Sequence, residues 1–550
     1  MLRFCLDGAR SGRYPGRKTM RRLCRLLIPL ALPALWASGA VFQYRVAVAT
    51  ERGNSAAFLW LPPKARHVRG AVVAGMTLME REFAKDPRIR QACAEKQLAI
   101  VFLKCGLGRA DLGKVLADLA NVSGYRELPV APLLFVGHSA GGPQAKARAV
   151  EMASRCFGLV QYRGGGPGGT KPLPAGIPAL MMVGQFDEFG GTMRREDGRE
   201  AWEAARDHVA ACRARDERNL VSLAVEPGAG HFAWSQRNAA YLAVFLRKAA
   251  DARIPASWPT DAEKPPALKA IDHRTGWLTD LAISAKGHPP APYADYRGEK
   301  AKAAWHVDRE MARASMDYYA GGLGRKDQFI RWDDPYWVDA GARFFFTKLT
   351  WIGDGQSFEV HPVYAGTYPW QHKGRGPRWP QAGKPVGHST APLRVRHVSG
   401  PVVATGPRTL RMRYDALAPA TERSRVTFLA CSAGDAEFRY TEQVGMMPRG
   451  FRGLTKGREQ TITFPPIGNL KADTRPVELK ATSDAGLAVE YYVAFGPARV
   501  ADGKLEIAHV PARATFPIAA EVVAYQFGRG VEPLVRTATP VAQTLRIEKP

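Results

Sequence analysis

The sequence predicts an α/β domain, a mostly parallel sheet covered by helices on both faces, followed by an all-β half. Two observations carry this. Between residues 41 and 250, short apolar strand-like runs alternate with helix-spaced segments. From Phe344 onward, short alternating runs dominate, broken by frequent Gly and Pro. The 550 residues are too many for one core, and at roughly 150 residues per domain they imply about three or four units.

The N-terminal elements follow in order. Val41–Ala49 and Ala56–Leu61 read as two antiparallel edge strands. Gly70–Gly75 is a short apolar strand, and Arg81–Gln97 has helical spacing. Leu98–Leu103 reads as a buried strand and Ala110–Ala120 as a helix. Pro132–Val136 is a strand, Gly142–Ala153 a helix and Cys156–Tyr162 a strand that leads into a glycine-rich loop. Ile177–Val183 (strand), Asp197–Ala214 (helix), Leu220–Val225 (strand) and Gln236–Ala249 (helix) complete the alternation. Parallel neighbours require right-handed crossovers.

The division we expect is a leader over 1–40, the α/β domain over 41–250, a linker with a connecting helical segment over 251–340, a β-rich module over 341–474 and a β-sandwich over 475–550. Ala250–Pro266 is rich in Pro, Ala and charge, as a linker is. Gly298–Tyr319 reads as helical. Leu393–Val398, Thr409–Tyr414, Arg425–Cys431 and Ala488–Ala494 read as strands.

The N-terminus has the layout of an export signal. Met20-Arg21-Arg22 and Arg25 precede an apolar stretch from Leu26 to Trp36, and Ser38-Gly39-Ala40 offers small residues for cleavage. The start is Met1 or Met20. Pro29 and Pro33 interrupt the stretch, which is short for a membrane span. An exported protein (periplasmic, cell-surface or extracellular) with no stable membrane anchor after cleavage is expected. Cys93, Cys105, Cys156, Cys212 and Cys431 would remain, and an odd number leaves one unpaired. Cys93–Cys105 and Cys156–Cys212 are conceivable bridges. The net charge of +27 reads as a solubilising surface, with attraction to polyanions such as acidic polysaccharide as the alternative. No nucleic-acid motif accompanies it, so no specific nucleic-acid partner is expected. No Cys-x-x-Cys or Cys/His spacing suggests a metal.

Gly137-His138-Ser139-Ala140-Gly141 matches G-x-S-x-G, between a predicted buried strand and a predicted helix. The chain must leave the strand and enter the helix in one sharp turn. Flanking side chains would clash with neighbouring elements, so glycines stand there, and the turn lifts Ser139 Oγ above the sheet. A serine alcohol needs a base beside it. After such an elbow the acid and the histidine follow in chain order. Asp187 lies beyond the strand Ile177–Val183, with Glu188 next to it as the alternative acid. His231 lies beyond Leu220–Val225. Both fall at the carboxyl ends of strands, where ligands bind in such sheets. The developing oxyanion needs donors. The backbone N–H of Ala140 is one candidate and that of Met76 the other, with Thr77 as the alternative to Met76.

On Ala74-Gly75-Met76-Thr77, Gly137-His138-Ser139-Ala140-Gly141-Gly142, Asp187 and Gly230-His231-Phe232, residues 41–250 resemble the α/β-hydrolase superfamily, in its dienelactone-hydrolase and polyester-hydrolase-like branches. The resemblance implies a serine hydrolase acting on an ester, without a cofactor. Where many relatives insert a helical lid, Arg163 to Gly176 is a glycine-rich loop, which suits a bulky or polymeric ester. Serine peptidase activity is one alternative. The other is a catalytically silent scaffold whose β modules bind a cell-surface or polysaccharide ligand. A dehalogenase would carry a carboxylate at the elbow. The stretch from 475, on Ala481-Thr482-Ser483-Asp484-Ala485-Gly486-Leu487, Val489-Glu490-Tyr491-Tyr492-Val493 and Gly496-Pro497-Ala498, resembles bacterial immunoglobulin-like modules. Trp332, Tyr336, Trp337, Trp351, Tyr364, Tyr368, Trp370 and Trp379 read as core or interface, with sugar stacking as the alternative. Gly387-His388-Ser389 copies part of the elbow without its strand and helix and reads as a loop.

Overall fold

A computed structural model describes residues 42–75, 78–166, 168, 171–185, 187, 201–232, 234–259, 263–281, 287–320, 324–333, 347, 349–368, 383–423, 425–447 and 453–550. Its N-terminal half is built on one eight-stranded sheet. The elements are β1 (Tyr44–Thr50), β2 (Gly53–Trp60), β3 (Gly70–Gly75), α1 (Leu78–Lys85), α2 (Pro87–Glu95), β4 (Leu98–Leu103), α3 (Leu112–Ser123) and β5 (Leu133–His138). They continue with α4 (Gly141–Glu151), β6 (Cys156–Tyr162), β7 (Ala179–Gly184), α5 (Ala201–Arg215), β8 (Val221–Glu226) and α6 (Gln236–Arg253). The strand order is β1-β2-β4-β3-β5-β6-β7-β8. β2 pairs antiparallel with both β1 and β4, and β4-β3-β5-β6-β7-β8 pair parallel.

The burial pattern explains the layers. Every residue of β3, β4, β5, β6 and β8 is buried, as strands covered on both faces must be. Helix α6 supplies one such cover, burying Asn238, Ala239, Tyr241, Leu242, Phe245, Leu246 and Ala249. Those spacings of three and four put them on one face. The Ser235 hydroxyl caps its start by accepting the Asn238 N–H at 3.2 Å.

Two departures from the predicted elements have local causes. The predicted helix Arg81–Gln97 is two helices, α1 and α2, broken at Asp86-Pro87. Asp86 caps α2 through the N–H groups of Arg88 and Ile89, and Pro87 occupies the first helical position, where its missing N–H costs nothing. The predicted helix over Gly298–Tyr319 is a helix only from Arg309 to Ala320 (α7). Ala304–His306 is instead a fully buried strand paired with Trp277–Thr279, and Asp308 accepts the Met311 N–H at 3.0 Å to start the helix after it.

All five cysteines after residue 41 are free. Cys156 opens β6, whereas Cys212 lies on α5 against Gly168, in the loop after that strand. Cys93 precedes and Cys105 follows β4, whose six residues separate its ends by about 20 Å, far beyond disulfide reach. The two conceivable bridges are therefore not formed.

The C-terminal half consists of small, mostly antiparallel sheets. Arg394–Ser399, Thr427–Ser432 and Thr441–Met446 form one of them, in that order. Helix α1 packs on its first strand, and Lys85 pairs with Asp415 at 3.0 Å. Glu490–Phe495, Ile518–Tyr525, Val541–Glu548 and Leu470–Lys471 form another. Apolar residues of that sheet, among them Val493, Ile518 and Ile547, join the core of the eight-stranded half. Trp332 is buried edge-on against Phe428 in the core, and the half-buried Trp351 packs against the same core on Phe358 and Phe527. Tyr364 is half-buried and stacked on His388, and Tyr368 packs on Phe329. Tyr336, Trp337, Trp370 and Trp379 lie outside the described residues. Residues 387–389 form a loop. Among the described residues, no helix is long and apolar enough to cross a membrane.

Candidate active site

Ser139 stands between the end of β5 and the start of α4. Its φ is +53°, in the left-handed region that side chains other than glycine seldom adopt. Two backbone hydrogen bonds hold that conformation. The Ser139 N–H donates to Tyr162 O at 3.0 Å, and Ser139 O accepts from the Gly142 N–H at 3.0 Å. A Cβ added to Gly137, Gly142 or Gly164 would fall under 3.0 Å from backbone atoms of Gly141, Gly164 or Ser139 respectively. Gly164, in the loop after β6, was not singled out in the sequence. Its partner lies 25 residues earlier, and no motif spans the two.

Asp187 and His231, which follow β7 and β8, come together. His231 Nδ1 lies 2.9 Å from each carboxylate oxygen of Asp187, and both side chains are buried. This contact places the imidazole proton on Nδ1 and gives the lone pair to Nε2, the tautomer a general base needs. Ala140 is the N-cap of α4, with helical angles and no capping side chain, so the first amides of the helix face outward from its positive end. Met76, Thr77 and Glu188 lie outside the described residues.

The histidine inside the motif has a second role in the geometry. His138 is fully buried, its ring centroid is 5.0 Å from that of His231, and its Nε2 lies 3.0 Å from His231 O. The His138 N–H donates to Glu80 Oε1 at 2.7 Å. Burial, then the neighbouring His231, push the His138 imidazole well below its usual pKa. It therefore stays neutral and can donate Nε2–H to the His231 carbonyl. His306, beneath β8, is likewise buried, and burial with Arg213 lowers its pKa to about 3.

These two imidazoles make a pH prediction. Unfolded, each takes up a proton near its usual value of 6.5; folded, neither does until much lower pH. The stability they permit is complete above pH 6.5 and is lost as pH falls below it, by up to about 1.4 kcal/mol per pH unit for each group. Thermal unfolding followed from pH 7.5 to 5 should show a Tm that is level down to about pH 6.5 and falls below it. A flat profile would contradict neutral burial.

An ionic cluster lies below the site. Arg163, also at φ +53°, pairs with Glu226 at the end of β8, and both are nearly inaccessible. Arg237 and Asn238 of α6 bind the same carboxylate at 3.0 and 2.9 Å. Burial pushes Glu226 up, but the two arginines outweigh it and hold the group below its usual range. Glu442, from the β half, is raised by burial and by Glu226. Among the described residues, no group of three or more His, Cys, Asp or Glu gathers as a metal site would.

The N-terminal half carries an α/β-hydrolase fold. The strand order, with one antiparallel β2 feeding a parallel run, and the serine turn after β5 decide it. No protein-family model and no curated protein matches the chain. Solved structures do. The chain is similar to LpqC, a poly(3-hydroxybutyrate) depolymerase from Bordetella parapertussis, with 18% identity over 39% of this chain and 93% of that one and a TM-score of 0.27. An esterase from Pyrobaculum calidifontis gives 14% identity over 39% and 88%, with a TM-score of 0.28. The esterase domain of a Rhodothermus marinus protein gives 19% over 37% and 96%, with a TM-score of 0.25.

Proposed function

We propose that this protein is a serine hydrolase that cleaves an ester bond through an acyl-enzyme on Ser139. One observation carries the reading. A serine held at φ +53° between a buried strand and a helix shares the carboxyl end of the sheet with a histidine bonded to a carboxylate. In this mechanism His231 Nε2 takes the Ser139 hydroxyl proton as Oγ attacks the ester carbonyl. The Ala140 N–H, with the N–H of Met76 as its partner, stabilises the oxyanion. The leaving alcohol takes the proton from His231. Water, deprotonated by His231, then releases the acid and restores Ser139. Asp187 holds the ring and balances the imidazolium.

For the substrate we propose a polymeric or carbohydrate ester. Among the described residues of 163–176 there is no helix, in keeping with a site open to a bulky ester. We further propose that residues 1–40 are an export signal and that the last module is immunoglobulin-like. A polyanionic polymer would also be drawn by the net charge of +27.

Asp187→Asn is the specific test of the acid. The amide would turn a donor toward His231 Nδ1 and favour the wrong tautomer, so kcat on a short aryl ester should fall by about ten-thousand-fold with KM little changed. Retained activity in Asp187→Asn, with loss in Glu188→Gln, would transfer the role to Glu188.

A further inference from the structure

The β half reaches into the site from a remote part of the chain. Arg439, just before the strand Thr441–Met446, is buried, and its Nη1 donates to Gln185 Oε1 at 2.6 Å. Gln185 is two residues before Asp187, and its Oε1 also accepts the Gly228 N–H at 3.2 Å. Gly228 is three residues before His231. One amide oxygen therefore ties the acid loop to the histidine loop, and one buried guanidinium fixes that amide. The other end of the guanidinium pairs with Asp327, and Arg439 O accepts from Gln328 Nε2 at 2.6 Å, so Arg439 is itself anchored from the β half.

Three further contacts press on the histidine loop from this segment and the sheet it belongs to. The Glu442 N–H donates to Gly228 O at 3.1 Å. Gly228, at φ +71°, lies so close to Tyr440 that a Cβ there would fall under 3.0 Å from the Tyr440 carbonyl. Ala229 and Phe232, which flank Gly230-His231, are buried against Val398, Leu429, Val444 and Met446 of the β sheet. The loop that carries the base thus has the sheet of the second half as its floor.

We infer that the segment 439–446 is part of the active site and that Arg439 is a positioning residue, aligning Asp187 and His231 through Gln185. The inference rests on the assignment of those two groups and of Ser139 as catalytic. It makes the β half a component of the enzyme rather than an attached module. Arg439 is buried and acts through Gln185, so its loss should change the alignment of base and acid and leave substrate binding in place. Misalignment of reacting groups by a fraction of an ångström lowers turnover steeply.

The test uses the full chain and a fluorophosphonate probe, with aryl-ester kinetics alongside. Arg439→Met keeps volume and removes the donor. It should lower kcat and the labelling rate of Ser139 together by about 10- to 100-fold, with KM changed less than about threefold. Arg439→Lys should recover part of the loss, since an ammonium can reach one of the two partners but lacks the fork that serves both. Should Arg439→Met fail to fold, Gln185→Met decides, because it leaves the Arg439–Asp327 pair intact; the same kcat-selective loss is expected. Wild-type labelling with both variants within about twofold of it would overturn the positioning role and leave the triad standing. A folded wild type that does not label would remove the triad assignment and this inference with it.

Discussion

Ser139→Ala should remove esterase turnover, lowering kcat by about ten-thousand-fold or more while the protein stays folded. The side chain lost is small, and the turn's backbone bonds to Tyr162 and Gly142 do not involve Oγ. The loss is then chemical. Without Oγ no acyl-enzyme forms, and what remains of His231 and the helix amides can only assist water. An equal loss of stability would instead mean that the hydroxyl is a structural group, so urea unfolding belongs beside the kinetics.

Gly164→Ala should also lower turnover, by less and by a different route. The added methyl would fall under 3.0 Å from the carbonyl carbon, carbonyl oxygen and Cα of Ser139. All three are backbone atoms, so no side chain can rotate away. Either the loop after β6 withdraws or the nucleophile turn moves. A shift of the turn by about 1 Å costs on the order of 100-fold in kcat, and the overpacking costs about 1–3 kcal/mol of stability. Wild-type kinetics in this variant would show that the turn tolerates displacement.

The two sites also show what a sequence can reveal. The elbow was legible because its constraints are local: five consecutive residues, a strand before and a helix after. Asp187 and His231 were legible as positions, since each follows a strand that ends on the same face. Their mutual contact needed the sheet order, which places β7 beside β8. Gly164 and Arg439 were not legible. Arg439 meets Gln185 across 254 residues, and neither stands in a recognisable pattern. The break at Asp86-Pro87 was written in the sequence, but the helical spacing on either side hid it. Ala304–His306 could not be told from helix by composition, because Ala, Trp and His fit either, and pairing with Trp277–Thr279 decided it. In the β half, alternation marked the strands but not their partners, since short antiparallel strands can pair in many orders.

The central claim is that Ser139 is a nucleophile activated by His231 and Asp187. The most direct measurement is reaction of the folded protein with a fluorophosphonate, followed by intact mass and peptide mapping, with Ser139→Ala in parallel. The account predicts a single adduct on Ser139 in the wild type and none in the variant. An unmodified wild type, or an adduct that persists in Ser139→Ala, would contradict it.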